Sequence, residues 1–162
     1  MDNQAIIYSM RLLARVEKSE LELRKKMENK NFSPEEIDEA MNYLKKNKYQ
    51  DDYRYAVCFT KDKRNFTGAG KKLIRQKLKE KGVSTDIIDQ VFDEIINYED
   101  ELLRAKKLVE KKLERSRNQD DLITVNNKLV NFLVQKGYDF SLAIRVVREM
   151  VKTQEDEFDA PD

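Results

Sequence analysis

Apolar residues recur along this chain at the three-and-four spacing of helices, within a passage that occurs three times. The first copy reads LRKKMENKNFSPEEIDEAMNYL, Leu23 to Leu44. The second reads IRQKLKEKGVSTDIIDQVFDEI, Ile74 to Ile95, and the third LVNFLVQKGYDFSLAIRVVREM, Leu129 to Met150. Superimposed, Met27, Leu78 and Leu133 coincide, as do Phe32, Val83 and Tyr138, and then Ala40, Val91 and Val146. A period of about fifty residues denotes one supersecondary unit stacked along an axis. The alternation of strands is missing, so the pattern predicts an all-α protein of three tandem three-helix repeats.

Turn and cap residues set the helix boundaries. In the first unit Ile6, Met10, Leu13 and Ala14 form a stripe. Ser19 with Glu22 makes a capping box for a second helix whose apolar face is Leu23 and Met27. Asn31 can close that helix in the left-handed conformation, with Phe32 following inward. Ser33, Pro34 and Glu36 then start a third helix, with Ile37, Ala40, Met41 and Leu44 as its buried face. In the second unit Asp51 or Asp52 caps a helix carrying Ala56, Cys58 and Phe59, and Gly68 and Gly70 mark a turn before Ile74 and Leu78. Gly82 and Gly137 occupy the place of Asn31, which argues for a positive φ at all three. The third unit opens on a longer stripe of Leu102, Ala105, Leu108 and Val109, and a polar loop from Arg115 to Asp121 follows. The expected divisions are repeats at 1–48, 49–98 and 99–152, then an acidic, disordered tail at 153–162. Units this small lean on their neighbours, with joints expected at Leu44–Tyr49 and Ile95–Tyr98. Their array should be elongated and able to bend there.

Composition narrows the chemistry. Of 162 residues, 40% are apolar and 39% charged, and two Pro and four Gly leave helices uninterrupted. No apolar run reaches the ~20 residues of a membrane span and no signal-peptide pattern opens the chain. Cys58 is the only cysteine, which fits a reducing cytosol, and its apolar surroundings predict a core position. Histidine is absent, which removes the usual general base near neutral pH, the ordinary nucleophilic triads and the commonest zinc ligand. No catalytic constellation, metal site or cofactor motif is expected. The net charge of +1 conceals five acids within Glu155 to Asp162; without them the body stands at +6. Such a body suits a polyanionic or acidic partner, with the tail a possible competitor for it.

Thr67-Gly68-Ala69-Gly70-Lys71-Lys72 resembles a phosphate loop but fails its pattern. Asn65 stands where the first glycine belongs, Lys72 where Ser or Thr belongs, and no strand precedes it. A helix start beside Lys71, Lys72 and Arg75 is still a candidate anion site. Further basic residues gather at Arg11, Arg15, Lys18, Arg24, Lys25 and Lys26, and at Lys61, Lys63 and Arg64. Many are offset by Glu17, Glu20, Glu22 and Asp62. The candidate partner-binding set is Arg24, Lys25, Lys61, Lys63, Arg64, Lys71, Lys72 and Arg75. Tyr8, Tyr43, Tyr49, Tyr53 and Tyr55 can stack on bases or pack at repeat joints, and joint packing is the favoured reading. Asp51 and Asp52 suggest a metal less than a helix cap.

Several segments together resemble the RecX family of bacterial recombination regulators: Leu12-Leu13-Ala14-Arg15, Ser19 with Glu22-Leu23, and Tyr49 through Ala56. The likeness continues at Gly68, at Ile74 through Leu78 and at Lys81-Gly82-Val83. It covers nearly the whole chain before the tail. Asn31 departs from it, standing where the first unit of the family has glycine, and Val16-Glu17 thins the basic run after Arg15. The resemblance implies a monomeric, cytoplasmic bacterial protein that is not an enzyme. It would lie in the groove of the RecA filament on single-stranded DNA, with that DNA a second candidate contact, and mainly inhibit ATPase and strand exchange. The alternative, read from the basic body alone, is a free-standing nucleic-acid-binding helical module.

Overall fold

The computed structural model describes residues 3–115 and 120–158, with side chains to residue 152. Every regular element among them is helical: α1 Gln4–Leu13, α2 Glu20–Glu28, α3 Pro34–Lys46, α4 Asp52–Asp62, α5 Lys71–Glu80, α6 Thr85–Ile95, α7 Tyr98–Arg115, α8 Leu122–Gln135 and α9 Phe140–Phe158. A π-helical turn, Lys63–Thr67, prolongs α4. The chain is all-α, built of tandem three-helix repeats, and no described helix is long and apolar enough to cross a membrane.

The helices begin where side-chain oxygens receive their unpaired N–H groups. Ser19 and Ser33 each form a full capping box, with Glu22 and Glu36 returning to the cap N–H. Asp51 accepts from the Tyr53 N–H at 2.8 Å and the Arg54 N–H at 3.2 Å, so the aspartate pair opens a helix, as expected. The second helix of each repeat closes alike. Asn31, Gly82 and Gly137 have φ of 62°, 78° and 98°. The next residue then donates back into the helix: Phe32 to the Met27 carbonyl at 3.3 Å, Val83 to Leu78 at 3.1 Å and Tyr138 to Leu133 at 3.1 Å. These are the apolar pairs that coincide in the three sequence copies. The backbone bond and the hydrophobic contact of this closure are therefore made by the same two residues. Lys48, at φ 58°, ends α3 the same way without glycine.

By its internal contacts the chain sorts into two compact units, Met1–Lys61 with Gln76–Glu94 and Asp62–Arg75 with Ile95–Asp162. The middle segment 49–98 contributes to both. In the first unit α1, α2 and α3 enclose Leu23, Met27, Ala40, Met41 and Leu44. In the second α7, α8 and α9 enclose Ala105, Val109, Leu133, Tyr138, Val146 and Val147.

Each unit also holds one junction between successive repeats, and the two junctions use equivalent positions. In the first unit the Ser19 hydroxyl donates to the Lys81 carbonyl at 2.7 Å, while the Glu20 N–H donates to Asp52 at 2.9 Å. In the second the Gly70 N–H donates to the Lys136 carbonyl at 2.7 Å, while the Lys71 N–H meets Glu101 at 3.3 Å. The start of one repeat's second helix thus rests on the left-handed turn of the next repeat and is capped by a carboxylate from that repeat's first helix. Close approach explains the glycines. A Cβ on Gly82 would lie 2.7 Å from the Leu21 Cβ; on Gly137, 2.4 Å from the Leu73 Cβ and 2.5 Å from its backbone N. Asn31, at the equivalent turn of the first repeat, is exposed.

Three expectations need correction. Cys58 is exposed rather than core, because α4 buries Tyr55, Ala56 and Thr60 instead. In α1 the buried line is Ala5 and Ser9, with Ile6, Met10 and Leu13 flanking it and Ala14 exposed past the helix end. The backbone of α9 runs to Phe158, past residue 152 where the tail was expected to start. Residues 159–162, the acidic side chains from Glu155 onward and part of the polar loop lie outside the described residues.

Substitution at the glycine closures should separate strain from crowding. Gly82→Val is expected to cost about 2 kcal/mol or more, from a positive φ and the Leu21 contact together. Gly137→Ala should cost more than Gly82→Ala because the Leu73 backbone cannot swing aside. Asn31→Gly should be neutral or mildly stabilising. Urea denaturation of the four variants tests this ordering, and a Gly137→Ala protein as stable as wild type would refute it.

Candidate partner-binding surface

The eight basic residues singled out from the sequence have distinct environments. In the first unit Arg24 is bound on its own surface, its Nη1 at 2.7 Å from Asp38 and its Nε at 3.0 Å from Glu20. The hydrogen bond to Asp38, and then that to Glu20, raises the arginine pKa further. Lys25 lies beside it on α2 and is exposed; Lys61, in the last turn of α4, is also exposed.

In the second unit Lys63 and Arg64 belong to the π-helical turn, and Lys71, Lys72 and Arg75 to the first turns of α5. Lys72 is exposed and pairs with Asp139 at 2.9 Å, whereas Lys63, Lys71 and Arg75 are half-buried. Arg64 is not a surface residue at all: its side chain is 3% exposed. It pairs with Asp100, reaches Glu101 at 3.3 Å and donates to the Ile95 carbonyl at 3.3 Å. A guanidinium can be buried only with such partners, so Arg64 leaves the partner-binding set.

Glu101 connects this pair to α5. One carboxylate oxygen faces Arg64 and the other accepts from the Lys71 N–H. Burial raises the Glu101 pKa, and the Lys71 N–H and the Arg64 charge only partly offset that rise. Burial also acts to raise Asp100, but hydrogen bonds and charge from Arg104 and Arg64 outweigh it and lower its pKa. The α5 start, a candidate anion site from the sequence, therefore already holds an anion from its own unit. The glycines of the phosphate-loop-like stretch have another task. A Cβ on Gly70 would lie 2.6 Å from the Gly137 carbonyl carbon, and the Lys72 N–H donates to the Gly137 oxygen at 2.9 Å. Glycine is needed there for one backbone to touch another, not a phosphate.

The tyrosines divide. Tyr55 is buried against Phe59, and Tyr8 packs on Phe32. Tyr43 and Tyr49 stack on each other, centroids 6.3 Å apart, each 43% exposed. Their loop is fixed by Arg54, which pairs with Glu17 at 2.6 Å and donates to the Lys48 and Tyr49 carbonyls. A groove of about 320 Å³ nearby is lined by Glu20, Lys45, Lys48, Gln50, Asp51, Asp52 and Ile87. Lys45 pairs with Glu20 at 2.8 Å, and Asp52 receives Gln50 and the Glu20 N–H. Its charges serve the junction, and among the described residues no group of three or more His, Cys, Asp or Glu is placed to hold a metal. Sequence reasoning missed Glu101 and the contact between Gly70 and Gly137, since both depend on elements far apart in the chain.

Burial of Arg64 predicts a stability phenotype. Arg64→Met should lose about 3 kcal/mol or more, because Glu101 is then left buried without its cation. Adding Glu101→Gln, which keeps an acceptor for the Lys71 N–H, should recover part of that loss. Denaturant titration of both proteins decides; an Arg64→Met protein of unchanged stability would return Arg64 to the surface.

Comparison with known proteins adds three matching family models, each a three-helix domain of RecX: the first over residues 5–44, the second over 51–91 and the third over 99–147. The regulatory protein RecX of Finegoldia magna is 32% identical over 143 residues, 88% of this chain and 70% of that protein. That of Haemophilus influenzae is 38% identical over 141 residues, 85% of this chain and 89% of that protein. The crystal structure of RecX from Lactobacillus salivarius superimposes with a TM-score of 0.81, over 91% of this chain and 94% of that one. Its 20% identity makes it a likeness of fold.

Proposed function

The chain belongs to the RecX family, and from that premise we propose that it is a non-catalytic regulator that binds the RecA filament on single-stranded DNA and restrains its ATPase and strand exchange. The observation that carries this reading is the match of all three RecX domains, in order, to the three repeats. Relatives that span most of the chain are named regulatory proteins. The sequence has no histidine, the usual general base near neutral pH. The protein acts as a monomer in the bacterial cytoplasm. Arg24, Lys25 and Lys61 in the first unit, and Lys63, Lys71, Lys72 and Arg75 in the second, supply positive charge toward acidic filament residues or DNA phosphate, and the acidic tail competes for the same contacts.

RecA ATPase on single-stranded DNA, measured with substoichiometric amounts of this protein, tests the reading directly. Inhibition by the wild type is expected. Changing Lys71, Lys72 and Arg75 to Glu should weaken it about tenfold. Because Lys71 and Arg75 are half-buried and Lys72 pairs with Asp139, Tm is measured alongside to separate lost attraction from lost folding. A free-standing nucleic-acid binder would instead leave RecA untouched and bind naked DNA, with a salt slope that falls by about one unit per lost phosphate contact. A wild type without effect on RecA from its own organism would remove the filament reading.

A further inference from the structure

Phe66 is 84% exposed, the most exposed large hydrophobic side chain among the described residues. Its sequence position does not call for that. On an uninterrupted α-helix, Tyr55, Phe59 and Phe66 would continue one apolar stripe. The π-helical turn Lys63–Thr67 breaks the register: its wider rings advance the chain with less rotation per residue, so Arg64 turns inward and Phe66 turns into water.

The turn is held on both sides of the ring. Arg104 donates to the Arg64 carbonyl and to Asn65 Oδ1, each at 3.2 Å. The Thr67 hydroxyl donates to the Lys63 carbonyl at 2.6 Å, and Lys136 Nζ to the Thr67 carbonyl at 3.0 Å. Beneath it lies the buried Arg64 with Asp100 and Glu101. A rigid aromatic side chain has little conformational freedom to lose on binding, which is the character of an interface hot spot. With the buried Arg64 and Glu101 set aside, the residues that carry and pin the turn still include three cations, Lys63, Arg104 and Lys136, against Asp62 and Asp100.

We propose that Phe66 is the anchor by which this chain docks on its protein partner, its ring entering an apolar pocket whose rim carries carboxylates. This deepens the reading of a filament regulator and rests on it: the pocket belongs to the recombinase filament. The cations that pin the turn meet the acidic rim, while the ring provides the desolvated centre.

The test compares wild type, Phe66→Ala and Phe66→Leu in three measurements: Tm, inhibition of RecA ATPase on single-stranded DNA, and affinity for a naked oligo-dT strand. Phe66→Ala should keep its Tm within about 2 °C, since an exposed ring contributes little to folding. It should lose about tenfold or more in inhibitory potency, Phe66→Leu should lose less, and oligo-dT affinity should not move. Unchanged potency in Phe66→Ala, with inhibition by the wild type intact, would overturn the anchor and leave the filament reading standing. A parallel loss of oligo-dT affinity would assign the ring to stacking on bases and also overturn it. A large fall in Tm would assign Phe66 to packing, with the same consequence. A wild type inert toward RecA would overturn both readings together.

Discussion

The junction between repeats depends on one steric condition: the start of a helix must touch the left-handed turn that closes another. Gly82 and Gly137 make that possible because no side chain stands between the turn and Leu21 or Leu73. Two hydrogen bonds at equivalent positions then hold each junction, one to a turn carbonyl and one to a carboxylate of the following repeat. Small three-helix units gain in this way buried area and cap partners that none of them has alone. The equivalent turn of the first repeat has Asn31, a side chain that the contacts at Gly82 and Gly137 would not admit. At α8 the helix begins earlier than its counterparts, capped by its own Asp121 through the Thr124 N–H at 2.7 Å.

Much of the charge that gives this chain its basic body is committed to that internal architecture. Arg64 is buried, Arg54 holds a loop, Arg104 pins the π-helical turn and Lys81 pairs with Glu22 at 2.7 Å. Burial works to raise the Glu22 pKa, but the Lys81 hydrogen bond and the Ser19 N–H prevail and lower it. Such partnerships shape the surface indirectly. The arginines around Asp100 and Glu101 hold the turn at which the α4 register breaks, and with that break an aromatic ring faces water. A cation census of the sequence thus overstates the number of residues available to a partner and understates what the buried ones do.

Local rules were legible in the sequence because they operate within a few residues. Ser19 and Ser33 cap helices, Asp51 opens α4, and Asn31, Gly82 and Gly137 adopt positive φ. The coincident apolar pairs, from Met27 with Phe32 to Leu133 with Tyr138, marked helix closures that recur with identical hydrogen bonds. The all-helical repeat organisation followed from them, and the residues resembling RecX belong to the same local grammar.

What tertiary structure alone decided are the outcomes in which a local preference met a distant partner. Periodicity put Cys58 in the core and left Arg64 among surface cations; α4 instead buries Tyr55, Ala56 and Thr60, and Arg64 turns inward to Asp100 and Glu101 of α7. The α5 start reads as an anion site in the sequence because its vacant N–H groups are local, but the anion that fills it, Glu101, lies thirty residues away. The sequence by itself determined the helices, their ends and their threefold repetition, since short-range sterics and capping specify those. Which charges are buried, which glycines are contacts and which aromatic is exposed depended on how the helices pack, because burial belongs to pairs of surfaces and no single segment contains both.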